Sequence, residues 1–215
     1  MCYSTAVRGV LITVEGVEGS GKTTQCLRLG DWLRARGLEV VLTSEPDGTT
    51  LGASIRSLFE QDATPLAQAF LFLAARQQHA VQVIRPALAR GAVVISDRYT
   101  DATLAYQGFG QGLDIQTLRE LNALATGGVL PDLTLFLDLD PEVGMSRIHG
   151  RPLDAFERMD LSFHRRVREG YLEIARAEKS RVVVLRADQE GEALHAAVVR
   201  AVEDFLDRRE IPRGA

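Results

Sequence analysis

Cysteine is scarce in this sequence: two residues of 215, Cys2 and Cys26. Neither has metal-ligand spacing, and two thiols make no disulfide framework. Unpaired thiols fit a reducing compartment. No run approaches the ~18 consecutive apolar residues that a membrane span needs. Met1 to Gly9 holds one arginine and no apolar core of the secretory kind. A soluble, cytoplasmic protein is the expectation. An excess of positive charge is also missing. The net charge is −4 and the pI about 5.6, which argues against a large nucleic-acid partner but leaves room for local arginines around a small anion. There is no internal repeat or low-complexity tract.

The remaining composition is ordinary for a globular protein, 46% hydrophobic and 25% charged. The length suits one α/β domain with a sizeable core. Short β-branched runs alternate with longer helical patterns. The runs are Gly9 to Val14, Glu39 to Thr43, Ala92 to Ser96, Leu133 to Asp138 and Arg181 to Leu185. Continuous apolar runs of this kind read as strands buried on both faces. Helical patterns cover roughly 22–36, 51–60, 65–90, 101–107, 114–126, 141–149, 160–179 and 190–209. The alternation predicts a five-stranded parallel sheet with right-handed crossovers and helices on both faces. The charge-rich segment 149–160 reads as a mobile lid or as a turn between helices. Gly108-Phe-Gly-Gln-Gly112 follows no strand, so a dinucleotide-binding turn is excluded and a loop is expected. His79, His149, His164 and His195 form no ligand spacing and read as surface or packing residues.

The strongest local signal is Gly16-Val17-Glu18-Gly19-Ser20-Gly21-Lys22-Thr23-Thr24. It fits G-x-x-x-x-G-K-[ST] and lies between a strand and a helix, where a phosphate loop must lie. Glycines let backbone N–H groups converge on phosphate oxygens, and the helix start adds partial positive charge. Lys22 supplies a cation for the β/γ-phosphates of ATP, and Thr23 a hydroxyl for Mg²⁺. This predicts the P-loop NTPase fold without naming the acceptor. After the third strand comes Asp97-Arg98-Tyr99, at the strand end that faces the ligand crevice in open α/β sheets. There Asp97 suits Mg²⁺ through water and Arg98 suits a second phosphate. A structural Asp–Arg pair is the alternative.

Several blocks together resemble thymidylate kinase, of the nucleoside monophosphate kinase group. They are Glu15 to Gln25, Thr43-Ser-Glu-Pro46, Phe72-Leu-Ala-Ala-Arg76, Asp97-Arg-Tyr99 with Ala105-Tyr-Gln-Gly108, and Phe163 to Tyr171. The resemblance runs from about Gly9 to about Leu206. It implies an ATP-dependent dTMP kinase, a homodimer using Mg²⁺, with a lid over about 149–160 that carries arginines. It also implies roles. Arg98 and Arg56 grip the dTMP phosphate, and Phe72 stacks on thymine, although its helical period alone reads as core. Arg76 donates to the O4 carbonyl. Thr103 and Gln107 take base-edge positions, and Tyr106 crowds the sugar's 2′ carbon. Glu45 lies beside phosphate and metal, and Glu18 meets the sugar hydroxyl. The phosphate loop holds no arginine, so the transition-state cation is expected from Arg147, Arg151 or Arg158, with Arg151 best placed. This chain departs from the pattern at Ser44, Asp47, Ala75, Ala102 and Ala155, where relatives usually carry Arg, Gly, Asp, Ser and Arg. Two alternatives remain at this point: a kinase for another nucleotide or a deoxynucleoside, and a non-catalytic nucleotide-binding relative.

Overall fold

The computed structural model describes residues 9–61, 63–150 and 152–209. Its strands are β1 (Val10–Glu15), β2 (Val40–Ser44), β3 (Val93–Asp97), β4 (Leu133–Asp138) and β5 (Val182–Arg186). They form one sheet in the order β2-β3-β1-β4-β5, every pair parallel. The first strand is therefore central. The chain winds to one side of it through β2 and β3, then to the other through β4 and β5. That reversal opens a crevice at the carboxyl end of β1. The register pairs Ser44 and Val14 with Asp97, so three strand ends finish level at its rim.

Side chains alternate across the sheet. Val10, Ile12 and Val14 pack in the main core with Leu29, Leu33 and Val198. Leu11 and Val94 face the other way, onto Ile84 and Leu88. Helices thus cover both faces. The run-based reading holds for β1, β3 and β4, which are almost wholly buried. It fails for the sheet edges: β2 is half-buried throughout and β5 alternates, because an edge strand lacks a neighbour on one side.

The helices are α1 (Lys22–Arg34), α2 (Thr50–Arg56), α3 (Pro65–His79), α4 (Arg85–Ala89), α5 (Thr100–Thr103), α6 (Ile115–Thr126), α7 (Pro141–Arg147), α8 (Leu161–Ala177) and α9 (Gly191–Arg208). A π-helical turn over Ala80–Ile84 joins α3 to α4, and another over Leu104–Gly110 prolongs α5. The glycine-alternating stretch expected as a loop is therefore helical as far as Gly110. Among the described residues, no helix is long and apolar enough to cross a membrane. Side chains of Thr49, Thr64, Asp114, Asp140 and Asp160 accept N–H bonds at their helix starts. α1 has no such cap. Gly21, left-handed at φ 91°, opens it instead. Its first N–H groups stay available to an anion.

Candidate active site

One cavity of about 560 Å³ fills the crevice, and both halves of the expected site line it. From the phosphate loop come Glu18, Gly19, Gly21, Lys22, Thr23 and Thr24; facing them are Glu45, Arg56, Phe72, Arg76, Asp97, Arg98, Thr103, Tyr106 and Gln107. Gly16, Val17 and Ser20 belong to the loop but are not on the cavity wall; Val17 and Ser20 are buried beneath it. Arg151 lies outside the described residues. Of the other arginines considered for the lid, Arg147 reaches the loop, donating from Nη1 to Gly19 O (3.2 Å) and Ala187 O (3.1 Å). Arg158 donates to Leu153 O within its own segment.

The loop can take its shape because Gly16, Gly19 and Gly21 all have positive φ. Gly19 is also constrained from outside. A Cβ there would lie 2.2 Å from Gly144 O, and one on Gly144 would lie 2.2 Å from Glu18 O. α7 therefore presses backbone to backbone on the phosphate loop. Lys22 Nζ donates to Val17 O at 2.9 Å. Burial, reinforced by the Arg98 charge, pulls the Lys22 pKa down to about 8. Phosphate oxygens arriving in the loop would favour its charged form further. Thr23 Oγ1 donates to Asp97 Oδ2 at 2.5 Å. A hydroxyl and a carboxylate meeting beside a phosphate loop form a hard-oxygen pair that suits Mg²⁺.

Arg98 is the only described non-glycine residue with positive φ, at 70°. A left-handed backbone of this kind costs on the order of 1–3 kcal/mol and persists where its surroundings require it. Here it follows from Arg98 N bonding to Val14 O while the side chain turns into the crevice. The guanidinium lies over the Tyr106 ring, 4.9 Å from its centroid. It donates to Tyr106 Oη (3.1 Å) and Glu18 Oε1 (3.2 Å). Tyr106 Oη also donates to Glu18 Oε1. Burial opposes the Glu18 charge, but His164, Arg98 and Lys22 outweigh it and hold the carboxyl far below its usual range. His164 Nδ1 sits 3.2 Å from Glu18 Oε2, close enough for an ion pair but off-line for a hydrogen bond. Burial opposes the His164 charge too, and Glu18 raises its pKa nonetheless.

At the far end, Arg76 is fully buried with every N–H donor engaged. Nε and Nη2 meet Glu45 Oε2, Nη1 bonds Thr103 and Asn122, and Nη2 bonds Tyr99 O. Glu45 Oε1 is held by His79 Nδ1, whose Nε2 meets Thr43 at 2.6 Å. Two of the histidines expected at the surface or in packing thus belong to polar networks around the site. Gln107 Nε2, by contrast, is buried with no partner. Phe72 stacks on Phe59 (centroids 4.1 Å, 20°). Phe156 lies 5.7 Å from Phe72 and 6.1 Å from Phe59. These lengths place Phe156 beside the stack, and Phe72 lines the cavity. Arg56 lies at the mouth, donating to Asp47 Oδ2 at 2.6 Å. Asn122, His164, Phe59, Phe156 and Gly144 escape the sequence reading, because nothing in their spacing marks them.

A strand–loop–helix phosphate cradle that shares its crevice with a second set of arginines and an aromatic wall defines a P-loop phosphotransferase. Comparison with known proteins refines the class. Residues 14–198 match the family model for thymidylate kinase. The chain is 47% identical to the thymidylate kinase of Deinococcus radiodurans over 202 residues, covering 92% of this chain and 98% of that one. It is 50% identical to that of Carboxydothermus hydrogenoformans over 181 residues, covering 82% and 89%. A crystal structure of thymidylate kinase from Ehrlichia chaffeensis superposes with a TM-score of 0.77 at 35% identity, covering 91% of this chain and 99% of that one. The chain belongs to the thymidylate kinase family.

Proposed function

We propose that this chain transfers the γ-phosphate of ATP directly, in line, to the phosphate of dTMP, giving dTDP. The observation that carries this is the sharing of one cavity by the phosphate loop, Arg98 and Arg56, and the Phe72 ring with the orphaned donor of Gln107. A phosphorylated acceptor explains the arginines, and a planar base explains the ring and the donor. The acceptor phosphate, with a second pKa near ~6, is mostly a dianion at neutral pH and needs no general base. The obstacle is repulsion between two polyanions. Lys22 and Arg98 hold their oxygens in line and neutralise charge, with Arg151 in the same role from the lid. Thr23 and Asp97 would hold Mg²⁺, which would neutralise donor phosphate charge when bound.

Tyr106, pinned between Glu18 and Arg98, crowds the sugar edge and favours deoxyribose. Glu18 takes the sugar hydroxyl, and Glu45, with both oxygens engaged by Arg76 and His79, anchors Arg76 rather than meeting the phosphates. For Arg76 to reach a base carbonyl, an internal bond must be exchanged, and Thr103 on the cavity wall is the partner at hand. Residues 149–160 act as the lid that excludes water. The chain works as a cytoplasmic homodimer. Leu66, Phe70 and Val81 follow one another along the exposed side of α3 and its continuation, Phe70 at 52% exposure, the apolar stripe an isologous contact needs. Light scattering on the purified chain reads that state directly.

The function is tested by ADP release from Mg-ATP with a panel of nucleoside monophosphates and nucleosides. The expected result is fastest turnover with dTMP. Faster turnover of dUMP or dCMP, turnover of thymidine but not dTMP, or nucleotide binding without turnover would each overturn it.

A further inference from the structure

The cavity's three acceptor-side arginines are each met by a carboxylate, but not in the same way. Arg76 and Glu45 are sealed, with side chains 1% and 4% exposed. Arg98 meets Glu18, itself 6% exposed and held by Tyr106. Arg56, at the end of α2, meets Asp47 in the open, with side chains 53% and 37% exposed. Asp47 arrives from the turn after β2. Among the described residues its carboxylate has no other hydrogen-bond partner. Among the described residues, the other carboxylate paired with Arg56 is Asp154, 3.9 Å away. Asp154 is tied down, since Oδ1 accepts from the N–H groups of Phe156 and Glu157. Asp47 is the exchangeable anion of the set.

We propose that Asp47 is a built-in competitor for the acceptor phosphate: its carboxylate occupies the edge of the Arg56 guanidinium that the monophosphate must take. The inference rests on the reading of Arg56 as a grip on that phosphate. A guanidinium fork matches phosphate as well as carboxylate, and a dianion binds it more strongly than a monoanion. A half-exposed ion pair contributes little and opens readily. The acceptor therefore displaces Asp47, whereas singly charged anions compete less well. Once displaced, the Asp47 charge stands beside the bound phosphate and repels it, which weakens acceptor binding and speeds departure of the product. Asp47 thus sets the affinity for the acceptor without entering the transfer.

The test is steady-state kinetics in dTMP at saturating Mg-ATP for the parent chain, Asp47→Asn, Asp47→Glu, Arg56→Ala and Asp47→Asn/Arg56→Ala, with dTMP binding followed by calorimetry. Asp47→Asn should lower the KM and Kd for dTMP by about three- to tenfold, leaving the KM for ATP unchanged. Asp47→Glu should keep the parental KM, because its carboxylate still reaches Arg56. Arg56→Ala should raise the KM, and in its background Asp47→Asn should lower it by clearly less than in the parent, because only the direct repulsion of the phosphate is left to remove. If Arg56→Ala raises the KM while Asp47→Asn leaves it unchanged or raises it, the competitor role is wrong and the grip stands. An unchanged KM in Arg56→Ala would remove the grip, and the competitor with it.

Discussion

At the scale of single residues, charges in this crevice are held by other charges rather than by water. Glu18 is ionised inside a phosphate loop because Arg98, Tyr106, Lys22 and His164 converge on it. Glu15, one residue before that loop, shows the opposite case. Burial first, then the charge of Asp101, raises its pKa to about 8, against the hydrogen bonds from Tyr171 Oη and Tyr99 N. The folded chain therefore keeps Glu15 protonated at neutral pH, whereas the unfolded chain ionises it near its ordinary 4.5. Stability from this site is lost as pH rises between those two values. Glu15→Gln removes that slope, so its melting-temperature advantage over the parent should be larger at pH 8 than at pH 5. A gain equal at both would contradict a buried neutral acid. The sequence shows Glu15 and Glu18 as members of a motif. It does not show their opposite protonation, which depends on burial and on distant residues, Asp101 near Glu15 and His164 of α8 beside Glu18.

At the scale of elements, the strand–loop–helix unit was legible because its physics is local: an apolar run, glycines at the positive-φ positions, and a helix start free of a side-chain cap. The Asp97-Arg98-Tyr99 turn was legible for the same reason. The edge positions of β2 and β5 were not, since sheet order is a property of crossovers and not of any one run. Nor was the contact of α7 with the phosphate loop, which needs Gly144 opposite Gly19. That contact yields a prediction. Gly144→Ala would drive a methyl into Glu18 O, and overpacking of this kind costs about 1–3 kcal/mol. We expect a lower melting temperature and a KM for ATP raised well beyond that for dTMP. Equal effects on the two substrates would show that α7 does not shape the loop.

At the scale of the whole molecule, the order of blocks along the chain carried more than any motif. The phosphate loop alone leaves the acceptor open. Sheet order 2-3-1-4-5 brings the ends of β1, β2 and β3 to one rim. There the residues of four separated blocks line a single cavity. The departures at Ser44 and Asp47 lie on that same wall, and only the structure shows that Asp47 turns toward Arg56. The account as a whole claims that this crevice brings two phosphates together and passes one to the other. Incubating the chain with γ-labelled ATP and dTMP and separating the products tests that claim most directly. The label should appear in dTDP, one for each ADP formed. Label released as free phosphate, or ADP formed at the same rate without dTMP, would contradict it.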